Sequence, residues 1–166
     1  MQAFAAPLLG AAVKWTKPEN LHLTYVFLGD VPAARAPAAA GCVARCAAIF
    51  TRQEVHLSGL GAFPSLEKPR VFWLGLAQDS AGTLKELTLK LSAALEAEGF
   101  KFDFNFTPHL TIGRVKTKLA PALTAKLRGK ADALEGRSII NSVELFESRL
   151  TSSCPEYRGL ASSPLL

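Results

Sequence analysis

Residues 18–30 read Pro-Glu-Asn-Leu-His-Leu-Thr-Tyr-Val-Phe-Leu-Gly-Asp, and the centre of that stretch returns later as Pro108-His109-Leu110-Thr111-Ile112. Residues 21–28 are rich in β-branched and aromatic side chains, follow Pro18-Glu19-Asn20 and close at Gly29-Asp30, which reads as a strand. Residues 109–115, after Pro108, read the same way. Side chains alternate across a strand, so His22 and Thr24 share one face while Leu23 and Tyr25 take the other. His109 and Thr111 are set against Leu110 and Ile112 in the same manner. The chain has 3 histidines, and two of them sit in this His-Leu-Thr pattern.

Outward from the two motifs, strand and helix patterns interleave with short connections. Residues 38–50 read as a helix with Pro37 in its first turn, and 83–98 as a longer one with Leu84, Leu87, Leu91 and Leu95 at helical spacing before Gly99. Strands are expected over 53–60, 71–76, 101–106, 139–146 and 157–161, with a loop over 61–65 and a short helix over 120–128. In 101–106, Phe102, Phe104 and Phe106 alternate with Asp103 and Asn105 and are read as one core face. The expected class is α+β with mainly antiparallel sheets.

Length and composition bound what such a chain can do. At 166 residues it is one ordinary domain or two small lobes, and 49% hydrophobic against 20% charged residues excludes global disorder. A net charge of +5 and a pI near 9.3 favour an anionic partner, although a charge of that size also fits plain solubility. Three cysteines, Cys42, Cys46 and Cys154, are too few and oddly numbered for a disulfide framework, which points to a reducing, cytoplasmic setting. Cys42 and Cys46, four apart on a helix, read as small buried residues. No apolar run is long enough to span a bilayer, and the apolar start lacks the basic flank of a signal peptide.

Two imidazoles and two hydroxyls converging on one cleft suit phosphodiester hydrolysis. One imidazole takes a proton from the attacking oxygen, the other gives one to the leaving oxygen, and the hydroxyls donate to the phosphoryl oxygens. No cofactor is called for, and neither motif has the carboxylate or cysteine spacing of a metal site.

At this point the chain resembles a known family, the RNA 2',3'-cyclic phosphodiesterases (2'-5' RNA ligases) of the two-histidine phosphoesterase superfamily. The resemblance runs from about Val13 onward, through Lys14-Trp15, residues 18–24, Phe27-Leu28-Gly29, 59–64, 69–75, 107–115 and 148–157. It implies a single two-lobed domain over residues 1–166, each lobe with a small antiparallel sheet, helices outside and the active-site cleft between the lobes. It further implies opening of an RNA 2',3'-cyclic phosphate to a 2'-phosphate, with His22 as proton donor and His109 as general base. Thr24 and Thr111 would be the phosphate donors, and tRNA halves a substrate for the reverse, 2'-5' joining reaction. The two motifs alone leave the histidine roles interchangeable.

The family opens with a strand and then a helix before the Lys-Trp segment. Here residues 1–6 resemble that strand, but about five helical turns have no room before Val13; alternatively residues 2–12 end that helix and the strand is missing. A monomer is expected, with a swapped dimer as a remedy for an uncovered sheet face.

Strict alternation puts Arg114 on the face opposite His109, so phosphate contact requires a bulge near Gly113. Arg70 and Lys68 border the cleft or lie on a solvated turn. Phe63, in a loop, is the candidate for stacking on a terminal base, whereas Trp73 is read as core. His56, in Val55-His56-Leu57-Ser58, mimics the tetrad with serine for threonine and is read as a solvated strand residue. The rival functions are the same chemistry on 2'-5' oligonucleotides or small cyclic nucleotides, and an RNA-end-binding module without catalysis.

Overall fold

The computed structural model describes residues 10–104, 106–129, 131–150 and 155–166. The first strand expected over 1–6, most of the alternative helix over 2–12, Asn105 and Cys154 lie outside the described residues. The elements in chain order are β1 (Val13–Trp15), α1 (Ala36–Ala47), β2 (Gln53–Phe63), β3 (Val71–Leu76), α2 (Gln78–Ala97), β4 (Leu110–Val115), α3 (Pro121–Arg128), β5 (Glu135–Ile140), β6 (Ser142–Leu150) and β7 (Pro155–Pro164), with short 3-10 turns between some of them. This is the α+β arrangement of antiparallel sheets and helices that the sequence implies.

The chain divides into two compact units that interleave in sequence. The first takes the described residues of Met1–Thr24, Val55–Ala81 and Thr107–Ser138. Its sheet has the strand order β1-β4-β3-β2-β5. One sheet face buries Val13, Leu60, Ala62, Phe72, Leu74 and Ile112 with Leu119, Leu127 and Ala131 from α3 and its flanks. The alternation of β3 shows why: Phe72 and Leu74 are buried while Val71, Trp73 and Gly75 point to the other face.

The second unit takes Tyr25–Glu54, Gly82–Phe106 and the described residues of Ile139–Leu166. Here the small side chains of α1, Ala39, Cys42, Cys46 and Ala47, pack with Leu87, Leu91 and Leu95 of α2, and Val143 of β6 with Leu165, just past β7, closes the cluster. Small residues on one helix let the larger leucines of the other interdigitate. Burial pushes both thiols up from the ordinary cysteine range, Cys42 and Cys46 alike, as expected of buried residues.

Five expectations need correction. Residues 21–28 are not a strand: only Leu23 forms a bridge, to Leu110. On one side of that bridge the partner reaches Pro108, which has no N–H, and on the other the Ile112 carbonyl already accepts from Thr16 N. Residues 101–104 and 106 form no strand either, and Phe104 is 46% exposed, because an alternating pattern makes a strand only where a neighbouring edge receives it. The loop expected from residue 61 is strand, since β2 runs through Phe63. The long helix starts a turn early, at Gln78 rather than residue 83. The strand expected over 139–146 breaks at Asn141 into the end of β5 and the start of β6.

Candidate active site

All four motif residues belong to the first unit. Strand β4 pairs with β3 along one edge, and its other edge receives β1 at Gly113–Val115 and Leu23 at Leu110. The antiparallel Leu23–Leu110 bridge sets His22 across from Thr111 and Thr24 across from His109. Cross-strand partners share a face, at Cβ separations of about 4.5–5.5 Å, and the two histidines stand on the diagonal at about 7–8 Å, room for a phosphoryl group between them. Leu23 and Leu110 turn to the opposite face.

Both imidazoles are oriented by the same device. His22 Nδ1 donates to the Asn20 carbonyl at 2.8 Å, and His109 Nδ1 donates to the Thr107 carbonyl at 2.7 Å. A carbonyl only accepts, so the proton sits on Nδ1 and Nε2 becomes the nitrogen that exchanges protons in each ring. Each histidine thus carries its own positioning acceptor two residues upstream.

His109 also sits in an aromatic setting. The Phe63 ring meets it edge-on at 5.1 Å and the Trp73 ring lies at 6.1 Å, while Phe63 and Trp73 are 5.4 Å apart. Trp73, read from sequence as core, is therefore on the site face. Its cross-strand partners explain how it fits: Thr111 on one side and Gly61 on the other. A Cβ on Gly61 would lie 2.1 Å from the Trp73 ring, so the glycine is the notch that admits the indole. Phe63 is the last residue of β2 and is 39% exposed.

The register also decides the position of Arg114. Trp73 pairs with Thr111, but Phe72 pairs with Gly113, so Ile112 is an extra residue in β4. The bulge reverses the alternation: Arg114, opposite Val71, comes onto the same face as Trp73 and His109. Lys14 lies directly across from Arg114 on β1. Two exposed like charges set opposite each other are unfavourable unless an anion sits between them. Arg70 is exposed at the turn before β3, its N–H bonded to the Phe63 carbonyl and its own carbonyl to Val115 N.

Charge is divided unevenly between the units. The segments of the first hold eleven lysines and arginines against five acidic residues, and those of the second hold eight against nine. The positive surplus of the chain thus resides with the histidines. Among the described residues no three His, Cys, Asp or Glu side chains gather as a metal site would require, and no helix is long and apolar enough to cross a membrane.

A family model described as the 2'-5' RNA ligase superfamily matches residues 11–150. The chain belongs to that superfamily. Relatives of this 2'-5' RNA ligase superfamily member carry a consistent name. The RNA 2',3'-cyclic phosphodiesterase of Aeropyrum pernix is 36% identical over 154 residues, which cover 91% of this chain and 85% of that protein. The RNA 2',3'-cyclic phosphodiesterase of Aquifex aeolicus is 32% identical over 146 residues, 87% of this chain and 77% of that one. In fold, the chain is similar to TT0787 of Thermus thermophilus, with a TM-score of 0.72 at 24% identity over 99% of this chain and 93% of the other. E. coli LigT complexed with 3'-AMP gives a TM-score of 0.69 at 24% identity, covering 98% of this chain and 87% of that chain.

Sequence reasoning missed Gly61 and misplaced Trp73. A glycine inside a β-branched and aromatic run is the signal for both, because such a gap implies a large neighbour. Lys14 was legible only as part of the family pattern, since its cross-strand partner is a hundred residues away in the chain.

Proposed function

We propose that this chain hydrolyses the 2',3'-cyclic phosphate at the end of an RNA to a 2'-phosphate. The observation that carries the reading is the pair of equivalent imidazoles, each held through Nδ1 by a carbonyl two residues upstream and brought together by the Leu23–Leu110 bridge. His109 Nε2 takes a proton from water as its oxygen attacks phosphorus. The bond from phosphorus to the ribose O3' breaks, and His22 Nε2–H protonates that oxygen to leave a 3'-hydroxyl. Thr24, Thr111 and Arg114 donate to the non-bridging oxygens as charge builds on them. Phe63 stacks on the terminal base, and Arg70 with Lys14 supplies positive field at the rim. The names of the relatives and the charge of the first unit support an RNA substrate. Within the same reading, tRNA halves are suitable ends, 2'-5' joining is the reverse reaction, and a cytoplasmic monomer is the acting species, with a swapped dimer as the other assembly.

The test is turnover of an RNA ending in a 2',3'-cyclic phosphate, with excess EDTA, for wild type, His22→Ala and His109→Ala. Wild type releases a 2'-phosphate, and each variant is slower by about 10²–10⁴-fold. One ring must be protonated and the other not, so turnover is bell-shaped in pH and each variant loses one limb. Tight binding of the RNA end without turnover would replace this reading with a binding module. A 3'-phosphate product would reverse the regiochemistry.

A further inference from the structure

The site face of the first sheet continues well beyond the two motifs. Ser58 pairs with Gly75, and Gly75 shares its face with Trp73 and Val71. Val55 and Leu57 turn to the buried side, so His56 and Ser58 stand on the same face as Trp73 and His109. On β5, a Cβ built on Gly136 would touch Leu57, which puts Gly136 on the buried side and its neighbours Glu135 and Arg137 on the site face. These four polar residues, His56, Ser58, Glu135 and Arg137, line an open groove of about 380 Å³.

The groove holds a third oriented imidazole. His56 Nδ1 lies 3.4 Å from Asp79 Oδ2, and its backbone N–H donates to Ser80 Oγ at 2.9 Å. Asp79 is itself fixed by the Ser80 N–H at 2.7 Å, which with the neighbouring groups holds its carboxyl below the usual range. His56 is thus the solvent-reaching strand residue its sequence setting implies, its side chain 41% exposed, but with Asp79 and Ser80 set beside it. Strand β2 lies two spacings of about 4.8 Å from β4, and Ser58 and His56 stand two and four residues of about 3.3 Å along from the level of Thr111, roughly 12–16 Å across the face. A single strand of RNA laid on Phe63 and Trp73 covers that distance in a few nucleotides.

We propose that this groove is a second nucleotide subsite, which holds a phosphodiester and ribose of the RNA upstream of its cyclic end. The proposal rests on the function proposed above. Arg137 presents a planar fork of donors to a phosphate, and His56, its Nδ1 turned to Asp79, offers Nε2 as an acceptor to a ribose hydroxyl beside it. Glu135 accepts from a ribose 2'-hydroxyl, the group by which a site tells RNA from DNA. The mixed charge of the groove thus matches a nucleotide, which brings an anion and hydrogen-bond donors together.

The test compares a 2',3'-cyclic mononucleotide with a pentanucleotide that ends in the same group. Wild type, His56→Gln and Arg137→Gln turn over the mononucleotide alike. On the pentanucleotide each variant loses about tenfold in kcat/KM, through KM, as expected for one hydrogen-bonded contact. The salt dependence of Arg137→Gln on that substrate is shallower by about 0.7 in log–log slope, one phosphate contact on a single strand. Equal losses on both substrates, or no loss on the pentanucleotide, would overturn the subsite. Wild type inactive on both would sink the catalytic reading alone. Fluorescence anisotropy with a 2'-phosphate-ended pentanucleotide and dinucleotide then decides the subsite: weaker binding of only the longer one in Arg137→Gln supports it, and parallel binding refutes it.

Discussion

Replacing Gly61 by alanine tests whether the face of β3 is built around Trp73. The added Cβ would lie 2.1, 2.2 and 2.4 Å from three carbons of the indole ring. Ordinary carbon contacts begin near 3.5 Å, so the overlap exceeds about 1 Å and falls on a rigid ring. Either the strand pair spreads or Trp73 leaves its rotamer, and overpacking of that kind costs about 1–3 kcal/mol. For a chain of this length, about 2 kcal/mol lowers Tm by about 4–8 °C. Because Trp73 lies 6.1 Å from His109 and 5.4 Å from Phe63, its displacement also moves the surface against which the histidine is set. A misplacement of about 1 Å is worth about 10²-fold in rate. The assay is urea unfolding beside turnover for Gly61→Ala, Trp73→Ala and the double variant. The double variant should be no less stable than Trp73→Ala alone, since the clash is gone, giving a coupling of about 1–3 kcal/mol. If Gly61→Ala unfolds within about 0.5 kcal/mol of wild type at full turnover, the notch argument is wrong.

Three further outcomes follow from named contacts. Arg114→Ala lowers kcat/KM by about 10–100-fold, the worth of a charged hydrogen bond to phosphate, and Arg114→Lys recovers part of it; unchanged kinetics would show that the bulge serves another purpose. Leu87→Ala, fully buried between α1 and α2, lowers unfolding free energy by about 2–5 kcal/mol in urea, and a loss below about 1 kcal/mol would contradict its packing. Asp79 is held below its ordinary 3.8 first by the Ser80 N–H, so its contribution is present above that value and fades as pH falls through the lower folded one. Asp79→Asn therefore flattens the loss of stability below about pH 4, and an identical acid limb in both proteins would refute the assignment.

Local order in the chain determined a good deal. The period of two in His-Leu-Thr decided that each imidazole shares a face with a hydroxyl, and that needs no partner strand to be known. The leucine spacing of α2 announced its buried stripe, and the small residues of α1 announced close packing, because helical periodicity is set within a few turns. The residue types alone marked the chemistry of the site.

What the sequence left open depends on contacts between distant segments. Whether 21–28 and 101–106 pair as strands rests on which edges are free to receive them, and Pro108 and the Thr16–Ile112 bond decide the first case. The face of Arg114 turns on one extra residue in β4 relative to β3, a count that exists only once the two strands are in register. Trp73 looks like core until Gly61 is seen across from it, and nothing local to His56 shows that Asp79 and Ser80 stand beside it. Alternation and periodicity are properties of one segment, whereas register, bulges and edge occupancy are properties of pairs, and the pairs form only when the chain folds.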